Sequence, residues 1–403
     1  MNVDSTILRR LKDEFGETFY LLDSAQFKKN YIELKKQFSN IYPNFNIAYS
    51  YKTNYVPKLC KIVNELEGYA EVVSEMEAEL ALRVGVSPKK IIWNGPIKNV
   101  VYLEKMVLQG TTVNIDSLEE CGVIKDIAVR YPDKILNIGI RCNFDVNDGV
   151  ISRFGLDTEE KDFAQVLDCV LKTPNMKLIN LQCHFAKRQL EYWPERAKKM
   201  IALIDKIGVV PERVDLGGGL YGNMADSLKD QFNVNIPEYK DYANAVAHLF
   251  AERFKKTQDV PELLIEPGSA LVGDCMRFVV SVKTVKSVRG KTFVSVLGSQ
   301  KNISMAGVNP PMKIYSMGNE QQQIEDADIV GYTCIESDVL YRGYGGKIAR
   351  DDMIVFENCG SYSLVMKPPF ILPNFPVLDI SEGEVELIKR AETFEDIFHT
   401  YNI

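Results

Sequence analysis

Asn46-Ile47-Ala48-Tyr49-Ser50-Tyr51-Lys52-Thr53-Asn54 begins as an apolar and aromatic run suited to a buried strand, and it delivers Lys52 and Asn54 where that strand meets a loop. Burying an ammonium there is costly unless it is paired or neutralised. Such a lysine either sends its charged head to solvent along an apolar stem, or loses its proton and becomes a nucleophile for an aldehyde. Outward from this stretch the pattern repeats: short apolar runs alternate with charged amphipathic segments, as parallel strands with helical crossovers do. The runs are 45–50, 69–74, 90–94, 112–115, 135–141, 178–184, 213–216 and 263–266. Eight of them predict a (β/α)8 TIM barrel, an α/β fold that keeps its chemistry at the C-terminal ends of its strands. Those ends carry Lys52, Glu71, Asn94, Asp116, Arg141, His184, Gly217 and Glu266.

The barrel is expected over 26–272. After 272 the texture turns to β-rich runs separated by glycine and charged turns, beginning with Phe278-Val-Val-Ser-Val, which predicts an all-β domain over 273–403. A short apolar run at Phe19-Tyr-Leu-Leu22, within an N-terminal segment 1–25, is expected to complete that domain. The chain has 403 residues, enough to bury an active site, and 48 basic against 55 acidic residues, a net charge of −7 that disfavours nucleic acid. No apolar run reaches the roughly 18 residues of a membrane span, and the first residues lack a signal-like core, so a cytoplasmic protein is expected. The eight cysteines form no Cys-x-x-Cys pair, and no metal or disulfide scaffold is expected.

Asp215-Leu-Gly217-Gly218-Gly219 follows the seventh run; glycines there either make a tight turn or let backbone N–H groups converge on a phosphate. Glu266-Pro-Gly268-Ser269 follows the eighth and sets a carboxylate at the barrel mouth, able to hold a proton on a heterocyclic nitrogen or merely to cap a turn. His184 ends the sixth run and can stack on a flat ring, serve as acid or base, or simply pack. In the β-rich half, Cys334-Ile335-Glu336-Ser337-Asp338 offers a thiol suited to donate a proton, followed by two carboxylates. Gly360-Ser-Tyr362 offers a phenol for a phosphate or for the core. A lysine for an aldehyde, glycines for a phosphate and a carboxylate for a pyridinium together point to pyridoxal 5'-phosphate.

In these motifs, and over about residues 15 to 380, the chain resembles the fold-type III, alanine-racemase-fold decarboxylases, the group of the diaminopimelate, ornithine/arginine and carboxynorspermidine enzymes. The resemblance implies that Lys52 of Tyr51-Lys-Thr-Asn54 forms the Schiff base with the cofactor and that Glu71 lies near it. His184 stacks on the pyridine ring, Gly217, Gly218, Gly219, Gly268 and Tyr362 belong to the cofactor site, and Glu266 keeps the ring nitrogen protonated. It also implies a homodimer in which Cys334, as catalytic acid, and Asp338 are lent across subunits, and a substrate-side loop at Ser152-Arg153-Phe-Gly155. Departures fall on the substrate side: Ser269 stands where the family has arginine, and Ile335, beside Glu336, where it has a substrate-reading glutamate. Their combined loss reads against diaminopimelate itself, leaving another small amino acid or conjugate of polyamine, siderophore, antibiotic or envelope-precursor synthesis. A racemase of the same fold, or an inactive binding protein, is the alternative; Glu266 speaks against the racemase, since racemases of this fold face that nitrogen with arginine.

Overall fold

The computed structural model describes residues 3–305, 307–381 and 383–402. The chain forms two compact units: Asn30–Tyr221 with Val234–Ala270, and Met1–Lys29 with Gly222–Asn233 and Leu271–Ile403.

The first unit is the expected barrel. Its strands are Phe45–Ser50, Tyr69–Val72, Ile91–Trp93, Thr112–Ile115, Leu136–Asn143, Met176–Gln182, Arg213–Asp215 and Glu262–Ile265. All pair in parallel with their ring neighbours, and Leu263 pairing with Phe45 closes the eighth strand onto the first. Helices between them start and stop on local signals. Ser74 accepts the Glu77 N–H at 3.2 Å to open Glu75–Arg83, and Trp193–Ile207 has proline in its first turn and left-handed Gly208 at its end. The register sets the site: Ser50 pairs with Glu71, and Gln182 pairs with Arg141 on one side and Asp215 on the other.

The second unit is all-β at its core, and the N-terminal run does complete it. Thr18–Leu22 lies between Met276–Val288, antiparallel, and Val377–Asp379, parallel. Phe19, Leu21, Val279, Val355 and Leu378 bury one another there. Lys291–Val296, Gln322–Val330 and Val339–Ile348 extend the sheet. The segment Gly222–Asn233 joins this unit and is tied to it by Gln231, whose amide donates to the Asn309 carbonyl at 2.8 Å and accepts the Asn309 N–H at 2.7 Å.

Candidate active site

Lys52 sits on the single 3-10 turn Tyr51–Thr53 that ends the first barrel strand. Its ammonium reaches Glu71 Oε2 at 2.6 Å; the carboxylate is fully buried, whereas the lysine side chain is 31% exposed. Ser50 Oγ donates to the same oxygen. The lysine is therefore held by an ion pair at the barrel mouth rather than floating into solvent.

Behind Glu71 a run of amides crosses the barrel interior. Asn94 Nδ2 donates to Glu71 Oε1 at 3.1 Å and also to Glu266 Oε1. Asn114 supports Asn94, and Asn180 donates to Asn114 at 3.0 Å. Gln182 Nε2 meets both Glu266 oxygens, at 3.2 and 3.3 Å. Burial, with Asp215 and Glu71 nearby, drives the Glu266 carboxyl well above the usual carboxylate range. Burial likewise pushes Asp215 up to about 7. Three buried carboxyl groups thus converge where their close donors are the Lys52 ammonium and neutral groups, the Ser50 hydroxyl among them, and the cluster is short of positive charge.

His184 is partly buried after the sixth strand. Its Nδ1 accepts the Gly218 N–H at 2.9 Å, which places the ring proton on Nε2 and fixes a neutral imidazole. Burial and the neighbouring Lys52 and Arg196 charges push its pKa well down in the same sense. The glycine loop leaves no room for side chains: a Cβ on Gly217 would strike the Cys183 carbonyl, and one on Gly218 the Glu266 carbonyl. Gly217 N–H is used by Asp215 Oδ1, whereas the successive N–H groups of Gly219 and Leu220 have no partner among the described residues. Gly268 packs so tightly on Thr53 that a Cβ would strike its hydroxyl, locking the turn after Glu266 to the Lys52 segment.

These features fit pyridoxal phosphate: an amine for the aldehyde, a buried carboxylate in need of a cation for the pyridinium, and open backbone donors for the phosphate. Sequence reading named Lys52, Glu71, His184, Gly217, Gly218, Gly219, Glu266 and Gly268, and the barrel unit brings them together. It passed over Gln182, Asn114 and Asn180. Their signal was polar residues two apart in an otherwise apolar strand, Asn180 and Gln182, both facing inward.

Arg153 is exposed with its guanidinium 4.1 Å from the Phe154 ring centroid, and Ser269 is partly buried. The remaining residues belong to the β unit. Cys334, Ile335 and Glu336 are exposed on a turn. Asp338 closes that turn, taking Ser299 Oγ at 3.0 Å and Gln300 N–H at 2.7 Å on one oxygen and Thr333 Oγ1 at 2.6 Å on the other. Tyr362 is partly buried with φ of 56°, a left-handed backbone that a side-chain-bearing residue adopts at a cost.

A family model described as pyridoxal-dependent decarboxylase, pyridoxal binding domain, matches residues 25–273. The diaminopimelate decarboxylase of Aquifex aeolicus is 25% identical, with 98% of this chain and 94% of that protein aligned. That of Methanocaldococcus jannaschii is also 25% identical, covering 96% and 91%. A crystal structure of the M. jannaschii enzyme in complex with L-lysine has a TM-score of 0.86 at 22% identity, over 98% and 94% of the two chains. The two diaminopimelate decarboxylases at 25% identity overturn the expectation that the substrate is something other than diaminopimelate. Its physical basis was too narrow, because two positions do not set the charge of a pocket to which several loops contribute. On the loops after the fifth and sixth strands, Arg153, Lys187 and Arg188 have no carboxylate within ion-pair reach among the described residues. Because the matched span takes in the whole ring of eight strands, the chain belongs to the pyridoxal-dependent decarboxylases.

Proposed function

We propose that the enzyme removes CO2 from diaminopimelate and releases lysine. The observation that carries this reading is the near-complete alignment with diaminopimelate decarboxylases; Arg153, Lys187 and Arg188, without carboxylate partners among the described residues, are in keeping with it. Membership of the family favours loss of the carboxylate over racemisation, and the retained Lys52 speaks against a silent binder.

Bound through its aldehyde, the cofactor supplies an electron sink for the pair left when CO2 departs. Lys52 would hold the cofactor through its side-chain amine. Glu71 keeps Lys52 positioned at the mouth. Glu266 holds the proton on the pyridine nitrogen, and Asn94 and Gln182 orient its carboxylate. His184, held neutral by Gly218, presents a flat face and no added charge beside the ring. Arg153 and Arg188 receive the distal carboxylate of the substrate. The broken Cα–carboxylate bond is replaced by a Cα–H bond whose proton comes from Cys334 of a second copy in a homodimer. In support, Cys334 is a free, exposed thiol on a turn that Asp338 keeps in shape.

The test is CO2 and lysine release by the pyridoxal phosphate-loaded protein given diaminopimelate, ornithine, arginine or lysine, with Lys52→Ala as the inactive control. Equal amounts of CO2 and lysine from diaminopimelate are expected. Release of CO2 from ornithine or arginine, with none from diaminopimelate, would overturn the assignment.

A further inference from the structure

Arg196 lies in the first turn of Trp193–Ile207 and is completely buried. Its guanidinium donates to three backbone carbonyls, those of Gly218 at 2.8 Å, Lys187 at 2.7 Å and Phe185 at 3.3 Å. It therefore joins the loop after the sixth strand to the glycine loop after the seventh. The ring centroids of Trp193 and Phe185 lie 4.4 and 5.6 Å from the guanidinium carbon. No carboxylate comes within ion-pair distance among the described residues; Asp148 acts on it only at longer range. Its Nε is buried without a hydrogen-bond partner.

A buried guanidinium compensated only by carbonyl dipoles and aromatic faces is an expensive arrangement for mere loop pinning. Loop pinning needs donors, not a charge. The loop it grips is the one whose next two N–H groups, Gly219 and Leu220, are open, and a Cβ on Gly219 would lie 3.8 Å from Arg196 Nη2. The Gly218 carbonyl that Arg196 binds and the Gly219 N–H belong to one trans peptide and point in opposite directions, so an anion accepting that N–H lies across the loop from the guanidinium, in surroundings where burial weakens the solvent screening between the two charges.

We propose that Arg196 is a positioning residue for the cofactor phosphate: it shapes the glycine loop through the Gly218 carbonyl and supplies the buried positive charge that the phosphate dianion neutralises. The reading rests on pyridoxal phosphate as the cofactor, and comparison with the phosphate-free aldehyde separates the two questions. The apoenzyme is titrated with pyridoxal 5'-phosphate and with pyridoxal, following the absorbance of the Lys52 adduct. Arg196→Met is expected to weaken pyridoxal phosphate binding about tenfold or more while changing pyridoxal binding far less. Arg196→Lys, which keeps the charge, is expected to lose less of that discrimination than Arg196→Met. Equal weakening of both ligands, or of neither, in the methionine variant would reduce Arg196 to a packing residue and overturn the proposal. Should Arg196→Met fail to fold, Arg196→Gln, which keeps amide donors without charge, is judged on the same ratio. If wild-type apoenzyme bound pyridoxal and its phosphate equally well, the phosphate site itself would be misplaced, whatever Arg196 does.

Discussion

Asp215 and Glu266 are two buried acids in one barrel, and their spacing along the chain gives no hint that they interact. Asp215 uses Oδ1 for the Gly217 N–H at 2.9 Å, while its buried Oδ2 has no donor in reach. Burial raises both groups; Asp215 and Glu71 add to the rise at Glu266 and Glu71 adds to that at Asp215, while Lys52 faces both and Arg141 faces Glu266 with the opposite effect. Asp215 moves from its usual 3.8 to about 7. Between those values the folded chain keeps a proton that the unfolded chain has released, so the stability linked to this group is complete below about pH 4 and is lost as the pH rises toward 7. Urea unfolding of the apoenzyme across that window should show a shallower decline in Asp215→Asn than in wild type. Glu77, also raised to about 7 by burial, contributes equally to both proteins and drops out of the difference. Parallel pH profiles would mean that Asp215 is ionised and has found a donor elsewhere.

At the level of the element, the glycine loop separates two uses of the same residue. Gly208 ends a helix with φ of 68° and open space around its Cβ position, whereas Gly218 has ordinary backbone angles and the Glu266 carbonyl in the way. Gly208→Ala should cost about 1 kcal/mol of stability and leave cofactor affinity alone. Gly218→Ala should cost about 1–3 kcal/mol and weaken the cofactor as well, since the backbone that must yield belongs to Glu266. Thermal melts with cofactor titration distinguish them, and undiminished affinity in Gly218→Ala would mean that the loop yields without moving the site. Strands were legible because each apolar run is contiguous: Phe45–Ser50 and Thr112–Ile115 occur as read from the sequence. Val339–Ile348 is not legible in the sequence because Arg342 and the glycines at 343, 345 and 346 break its apolar run. The last part of the β-rich half carries the strand Glu386–Lys389 ahead of the short helix Phe394–Phe398, an exception to its all-β expectation.

For the molecule as a whole, the strand near the start is central to a sheet otherwise drawn from the far end of the chain. Phe19 pairs with Val279 and is fully buried. Phe19→Ala should destabilise the β unit by about 3–5 kcal/mol, from lost burial plus the cavity left behind. Urea unfolding followed by hydrogen exchange in Met276–Val288 would locate the loss there; unchanged protection of that strand would mean that the N-terminal strand is dispensable. The charge that meets a substrate is likewise set at this scale. Ser269 and Ile335 were judged one position at a time, but the charge available to a distal carboxylate is the sum over loops from several strands.

The sequence by itself determined the alternation that makes a closed parallel barrel, the β-rich second half, and the lysine, glycine and glutamate motifs that point to the cofactor. Each of these is written in neighbouring residues, as a period of burial or a turn that needs glycine. Only the tertiary structure decided that Glu71, Asp215 and Glu266, from three strands and their ends, are gathered with few positive charges, that Asn94 and Gln182 donate to them, and that Arg196 from a helix grips the glycine loop. Those relations are electrostatic and act through space, so their strength depends on distance and burial that no local pattern along the chain records.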